Sequence, residues 1–356
     1  MNALKRIPSC AARLVLMMPL LMTWRMLVEA NSVTIFNPAD FNRRYEDFIA
    51  AAPNSPNAEV IWILSANIQL TPATNGLADE FKETVHIGDG HNLHIRQLSG
   101  VRTLTRNYGE NATFMVHDQG SLTIDNIIIT TTATSDGSAI YVGTGGKLRL
   151  DGTTFLNCFT AYGSGGAVFS DRGTLNVTAA TFTACSAPQG NGGALASVGG
   201  FLELRSSSFN RCKARSGGAL SVDGNATTTL GAITTTTTTL SGNVTTATTT
   251  TTTRKRNAGV TLRECTFQEQ NASSFGGDVF VGGEAAVDMD KLEFGAPGVT
   301  STAAVGGCVH LAGNSALTVR GSVLQGCGAQ LVGGAFAVVD EATLTLVSSQ
   351  VLDASA

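Results

Sequence analysis

Charged side chains make up only 14% of this 356-residue chain, so those recurring at one spacing stand out. Asp125, Asp151, Thr178, Arg205, Arg263 and Asp290 each follow an alternating apolar step such as Leu148-x-Leu150. Two carboxylates flanking one bond suit glycoside hydrolysis. A base, often Arg or Lys, helped by an Asp-bound calcium ion suits elimination beside a carboxylate. Asp125 and Asp151 are the best carboxylate pair of either kind, although a solvated strand face produces such pairs freely. His86, His91 and His94 lie between Val85 and Ile95, around a Gly88-Asp89-Gly90 turn. Alternation there sends His86 and His94 to solvent, which favours polar surface residues over a metal site. No GxSxG elbow, CxxC or Cys/His cluster occurs, so no nucleophile and no zinc site is assigned. No catalytic residue, cofactor or metal is assigned anywhere in the chain.

These residues sit on a repeat. From Gly137 onward a unit of about 27 residues recurs, opened by Gly165-Gly166-Ala167, Gly192-Gly193-Ala194, Gly217-Gly218-Ala219 and Gly333-Gly334-Ala335. An alternating pair follows, as in Leu148/Leu150, Leu175/Val177, Leu202/Leu204 and Leu317/Val319. Five residues later comes a large apolar residue: Ile129, Phe155, Phe182, Phe209, Phe267, Phe294, Leu324 or Val351. A period of this length means stacked units, because one unit cannot bury its own apolar face. Period-two alternation predicts strands with one buried face, and Gly pairs predict corners. With no helical pattern between strands, the fold class is all-β: a right-handed parallel β-helix with a short α/β N-terminal cap. The Phe column and the ladder Ile124, Leu150, Val177, Leu204, Leu262, Met289, Val319 and Leu346 are predicted to point inward. With most aromatic residues in that column, few remain for stacking on bases or sugars.

Domain boundaries follow from composition. Lys5, Arg6 and Arg13 precede an apolar run over Leu14–Trp24, too short to span a membrane, and Val28-Glu29-Ala30 offers a small-residue cleavage site. Residues 1–30 thus read as a secretory signal peptide. Residues 31–84 read as the cap, with Asn37-Pro38-Ala39-Asp40 starting a helix that carries Phe41, Tyr45, Phe48 and Ile49 on one face. Residues 85–356 form the β-helix, interrupted at 225–257 by a nearly pure Thr tract ending in Arg254-Lys255-Arg256. That insertion is predicted to be a disordered loop, carrying O-glycans or simply tolerated at a corner. The final rung has no cap, which suggests a fragment or an early termination.

Cys158, Cys185, Cys212 and Cys327 each lie three residues past a column member and are expected to stack as buried thiols; bridging between neighbours is the lesser alternative. Cys265 and Cys308 fall off this register and are free to pair elsewhere. Asn111, Asn176, Asn225, Asn243 and Asn271 begin Asn-x-Ser/Thr sequons, which a eukaryotic secretory pathway would glycosylate in part. The net charge is −4 with no basic face, arguing against nucleic acid as a partner.

Gly165-Gly-Ala-Val168, Gly192-Gly-Ala-Leu195 and Gly217-Gly-Ala-Leu220, with Phe155-Leu-Asn-Cys158, Phe182-Thr-Ala-Cys185 and Phe209-Asn-Arg-Cys212, resemble the repeat of the chlamydial-type polymorphic outer-membrane proteins. That repeat carries GGAI and FxxN signatures within the pectin-lyase-like β-helix superfamily. The similarity covers roughly residues 137–356, with Cys in place of the final Asn. It implies a β-helical surface or secreted passenger, often adhesive. No Gly-His-Gly of the superfamily's pectin-degrading enzymes is present. The expected function is therefore a secreted or cell-surface, non-catalytic adhesive or structural protein, at the outer membrane if the host is bacterial. Glycans or surface proteins are the expected partners; a polysaccharide lyase or glycoside hydrolase is the alternative.

Overall fold

A computed structural model describes residues 32–51, 59–70, 84–224, 233–241, 244–252, 258–296 and 300–356. The proposed signal peptide and the Arg254-Lys255-Arg256 cluster lie outside them. The chain winds as a parallel β-solenoid of about ten turns. Its strands fall into an eleven-stranded sheet I, a nine-stranded sheet II and a sixteen-stranded sheet III. One rung shows the order: Val168–Asp171 in sheet II, Thr174–Thr178 in sheet I, then Thr181–Thr183 and Ser186–Asn191 in sheet III. Each strand pairs in parallel with its counterpart one rung away, as Leu175 with Leu202 and Val177 with Leu204.

The period-two pattern is realised directly: Leu148 and Leu150 are buried while Arg149 between them is exposed. The Phe column is a continuous internal stack. Phe155, Phe182, Phe209, Phe267 and Phe294 follow one another with centroids 4.8–4.9 Å apart and interplanar angles of 2–9°. Inter-strand spacing sets that distance, and it falls in the favourable range for ring contact.

The corners explain the Gly-Gly-Ala signature. Gly165 adopts φ +64°, which an L side chain rarely adopts, whereas a Cβ on Gly166 would lie 2.1 Å from the Gly193 carbonyl oxygen of the next rung. The first glycine turns the chain and the second lets rungs approach. Two further corners flank the Phe strand at single left-handed residues, among them Ala179 (φ 51°) and Ala184 (φ 53°). Side chains there are tolerated because the rungs above and below dictate the backbone.

At the amino-terminal end, helix α1 (Pro38–Ala51) is capped by the Asn37 side chain, whose Oδ1 accepts from the Asp40 amide at 2.9 Å. Phe41 and Phe48 are buried and meet Trp62 edge-on, at 4.9 and 6.2 Å between centroids. In the insertion, composition predicted disorder, yet Ile233–Ser241 and Val244–Thr252 pair as an antiparallel hairpin separate from the three sheets. Threonine is β-branched and suits strands, so self-pairing satisfies the backbone without a core.

The cysteine expectation needs one correction. Cys158, Cys185 and Cys212 stack as free buried thiols and Cys265 is also free, but Cys327 is disulfide-bonded to Cys308, Cα atoms 5.1 Å apart. The cause is a column invisible in one dimension. Cys308 replaces the Ala of its Gly-Gly-Ala triplet, and that position faces the Cys327 column across the rung interior. One rung earlier the same two positions hold Asp278 and Ser301, whose hydroxyl donates to Asp278 Oδ1 at 2.7 Å. The other Asp278 oxygen is buried with no hydrogen-bond partner.

Three outcomes follow from this packing. Phe182→Ala should cost about 3–5 kcal/mol in chemical denaturation, as a ring deleted from a stack with no room to collapse. Ala184→Gly should raise stability by up to ~1 kcal/mol by relieving a left-handed alanine. Burial pushes the Asp278 carboxyl up to about 8, against its Ser301 hydrogen bond, so from about pH 4 to pH 8 the folded chain holds a proton that the unfolded chain has lost. Stability therefore falls as pH rises through that window. Asp278→Ala, restoring the repeat residue, should remove that slope when melting is followed from pH 4 to 9.

Candidate functional site

Sheet II presents the side chains most suited to binding. Its register aligns one outward column: His86, Met115, Tyr141, Phe169, Ala196, Ser221, Phe280, His310 and Ala337. Each lies beside an inward neighbour of opposite sense, as Phe169 beside buried Val168 and Phe280 beside buried Val279. Tyr141 and Phe169 stack at 5.6 Å and 26°, and Phe280 and His310 at 5.6 Å and 9°. Phe275, at an adjoining corner and exposed, comes within 4.7 Å of His310. Tyr141, Phe169 and Phe280 are half-buried. Between the two ring pairs, Ala196 and Ser221 are covered, at 2% and 3% exposed.

Carboxylates line one side of this column. Asp171 and Asp223 lie two residues beyond Phe169 and Ser221 on the same outward face, aligned through Val198. Asp171 is held in a two-pronged ion pair by neighbouring Arg172, at 3.0 and 3.2 Å. Asp223 makes no ion pair among the described residues, and partial burial raises its pKa. Burial, then the charges of Asp171 and Asp136, likewise raise the Tyr141 phenol, keeping it a neutral donor. His310 Nδ1 is buried without a hydrogen-bond partner, and burial lowers the ring's pKa, so it stacks as neutral imidazole.

The aromatic expectation is thereby corrected: the Phe column is internal, yet a second aromatic column faces outward. Its signal in the sequence is the residue two places after each Gly-Gly-Ala triplet's alanine or its substitute. That position reads Phe169, Ala196, Ser221, Phe280 and His310, too variable to stand out.

Of the residues singled out by type, Asp125 and Asp151 are indeed register neighbours on sheet I, with Arg96 before them. Asp125 is already engaged: its Oδ2 lies 2.7 Å from His94 Nε2, while His94 Nδ1 lies 3.4 Å from Glu59 Oε1. Both ring nitrogens thus face carboxylates, and the side chain is 16% exposed. The imidazole clamps three successive strands and presents neither nitrogen to a ligand. His86 is exposed as expected and lies 6.0 Å from His117; burial, then His117, lowers its pKa. His91 packs edge-on against Phe48 of the cap. Thr178, Arg205, Arg263 and Asp290 continue the Asp151 column outward, and Arg205 pairs with Glu203. Asn111, Asn176 and Asn271 are exposed, while Asn225 and Asn243 lie outside the described residues.

No protein-family model matches the chain, and no curated protein is found similar to it. Among solved structures, a PL6 family alginate lyase, AlyGC, is similar at 13% identity and a TM-score of 0.36. That match covers 81% of this chain and 40% of the other, so the chain spans less than half of that protein's length.

Proposed function

We propose that this chain is a secreted or surface-displayed β-helix that binds glycans or glycan-bearing surface proteins without cleaving them. The observation carrying this reading is the outward ring column of sheet II with its flanking carboxylates. Aromatic faces stack on the apolar faces of sugar rings, and carboxylates accept hydrogen bonds from hydroxyl groups. The Cys308–Cys327 disulfide fits an oxidising compartment, as does the signal-like amino terminus. A rigid solenoid suits adhesion because its face is held by backbone pairing, so little ordering entropy is lost on contact.

One observation favours a hydrolytic reading. Asp171 and Asp223 are two rungs apart, about 10 Å between Cα atoms at the usual strand spacing, near the separation used for inversion with an intervening water. The raised Asp223 would serve as the acid. Against this, the Asp171 carboxylate is held at both oxygens by Arg172.

Surface plasmon resonance of the mature chain over immobilised glycans and surface glycoproteins, with released chain ends assayed in parallel, separates these readings. Retention without new chain ends is expected, with retention lost in a Tyr141→Ala/Phe169→Ala double variant. Chain-end release that disappears in Asp223→Asn, or in Asp125→Ala or Asp151→Ala, would overturn the non-catalytic reading.

A further inference from the structure

We infer that the outer surface where sheets III and II meet is an interface for a second copy of this chain, related by a two-fold axis normal to that surface. It spans the four rungs whose sheet III strands begin at Lys213, Asn271, Ser301 and Cys327. The inference goes beyond the binding reading above and stands without it.

An apolar cluster forms its centre. Phe275 ends a sheet III strand and Phe280 lies in the sheet II strand that follows, yet their rings meet at 6.5 Å across the Gly276-Gly277 corner. Both also contact His310, at 4.7 and 5.6 Å. Outer side chains of the two sheets therefore converge into one surface instead of diverging around the corner. Register continues the Phe275 position through Val305 to Val332 on the next two rungs. Phe275 is 41% exposed, Val332 61% and neighbouring Leu331 71%, so the cluster faces water. Contiguous exposed apolar side chains of this kind mark contact surfaces.

Charge identifies what covers it. On the first of the four rungs, Lys213 and Arg215 lie exposed on the sheet III side of the cluster. On the fourth, Asp340 and Glu341 lie exposed on the sheet II side. None of the four makes an ion pair among the described residues; Arg215 reaches the Asn191 side chain at 3.4 Å, and Asp340 accepts from the Gly313 amide at 3.0 Å. Three rung steps, about 14 Å at the usual strand spacing, keep the cations and anions of one copy apart. A half-turn through the cluster exchanges the two sides and also the first and fourth rungs. It carries Arg215 onto Asp340 of the second copy and Lys213 onto Glu341, while Asp223 falls opposite Val332. A lipid surface would be met by one sign of charge, whereas this arrangement is self-complementary, as a two-fold interface requires. Four rungs tall and about 30 Å wide, the surface covers about 600 Å² per copy, at the lower bound of specific interfaces. The dimer is thus weak, with a dissociation constant on the order of 10 μM. The rungs bearing Tyr141 and Phe169 lie outside it, so two copies of that ring pair are presented together.

Sedimentation velocity of the full chain, from about 1 to 200 μM and at low and high salt, tests this. A reversible monomer–dimer equilibrium is expected, weakening several-fold as salt screens the ion pairs. Val332→Asp should hold the chain monomeric over the whole range; the side chain is exposed, so the melting transition should not move. Lys213→Glu and Glu341→Lys should each weaken dimerisation at least tenfold, and the double variant should restore it. A chain that stays monomeric, a dimer untouched by Val332→Asp or by salt, or a double variant as weak as the single ones would overturn the inference. Flotation with phosphatidylcholine–phosphatidylserine vesicles that is lost in Val332→Asp, from a chain that does not dimerise, would assign the surface to a membrane instead.

Discussion

Every feature of this protein depends on parallel backbone pairing that holds successive rungs in register. Because hydrogen bonds fix the rungs at one spacing, a residue type that recurs at the repeat period becomes a column in space. The phenylalanines stack face to face only because their strands are held at that distance. The second glycine of each Gly-Gly-Ala triplet exists because a neighbouring carbonyl occupies the space a Cβ would need. The same constraint works outward. Rings on sheet II form pairs because the outer side chains inherit the register of the core.

Regular pairing also decides where departures from the repeat are tolerated. Replacing an interior alanine by Asp278 buries a carboxyl group with one partner, Ser301, and it remains folded by staying protonated. One rung later the same two positions carry a disulfide, an apolar solution to the same contact. In the Cys column, Gln270 takes the place after Cys212, its carbonyl accepting from the Cys212 amide and its amide donating to two backbone carbonyls. Polar residues enter this interior only where neighbouring rungs satisfy most of their hydrogen bonds. The Thr-rich insertion leaves between rungs and pairs with itself, so the rungs on either side, Leu202 and Val260, still pair directly.

Most of the fold was legible because it repeats. Phe155, Phe182 and Phe209 recur every 27 residues, and that spacing alone places them in one column. The free thiols Cys158, Cys185 and Cys212 were legible for the same reason. Contacts across a rung were not. The Cys308–Cys327 pairing and the Asp278–Ser301 contact join two different columns, and their proximity depends on the cross-section of the coil, which no period reports. The candidate site was hidden by its own irregularity: Tyr141, Phe169, Phe280 and His310 bracket an alanine and a serine, so no one residue type recurs along the column. Conversely, Asp125 and Asp151 were found as neighbours from spacing, but the engagement of Asp125 by His94 required side chains from different rungs.

The account stands on a single register that builds a phenylalanine core within and paired rings without. A crystal structure of the chain examines both at once. It should show the five phenylalanines stacked inside, with Tyr141 against Phe169 and Phe280 against His310 on the outer face of sheet II. Rungs whose phenylalanines face solvent, or a register that separates those ring pairs, would contradict it.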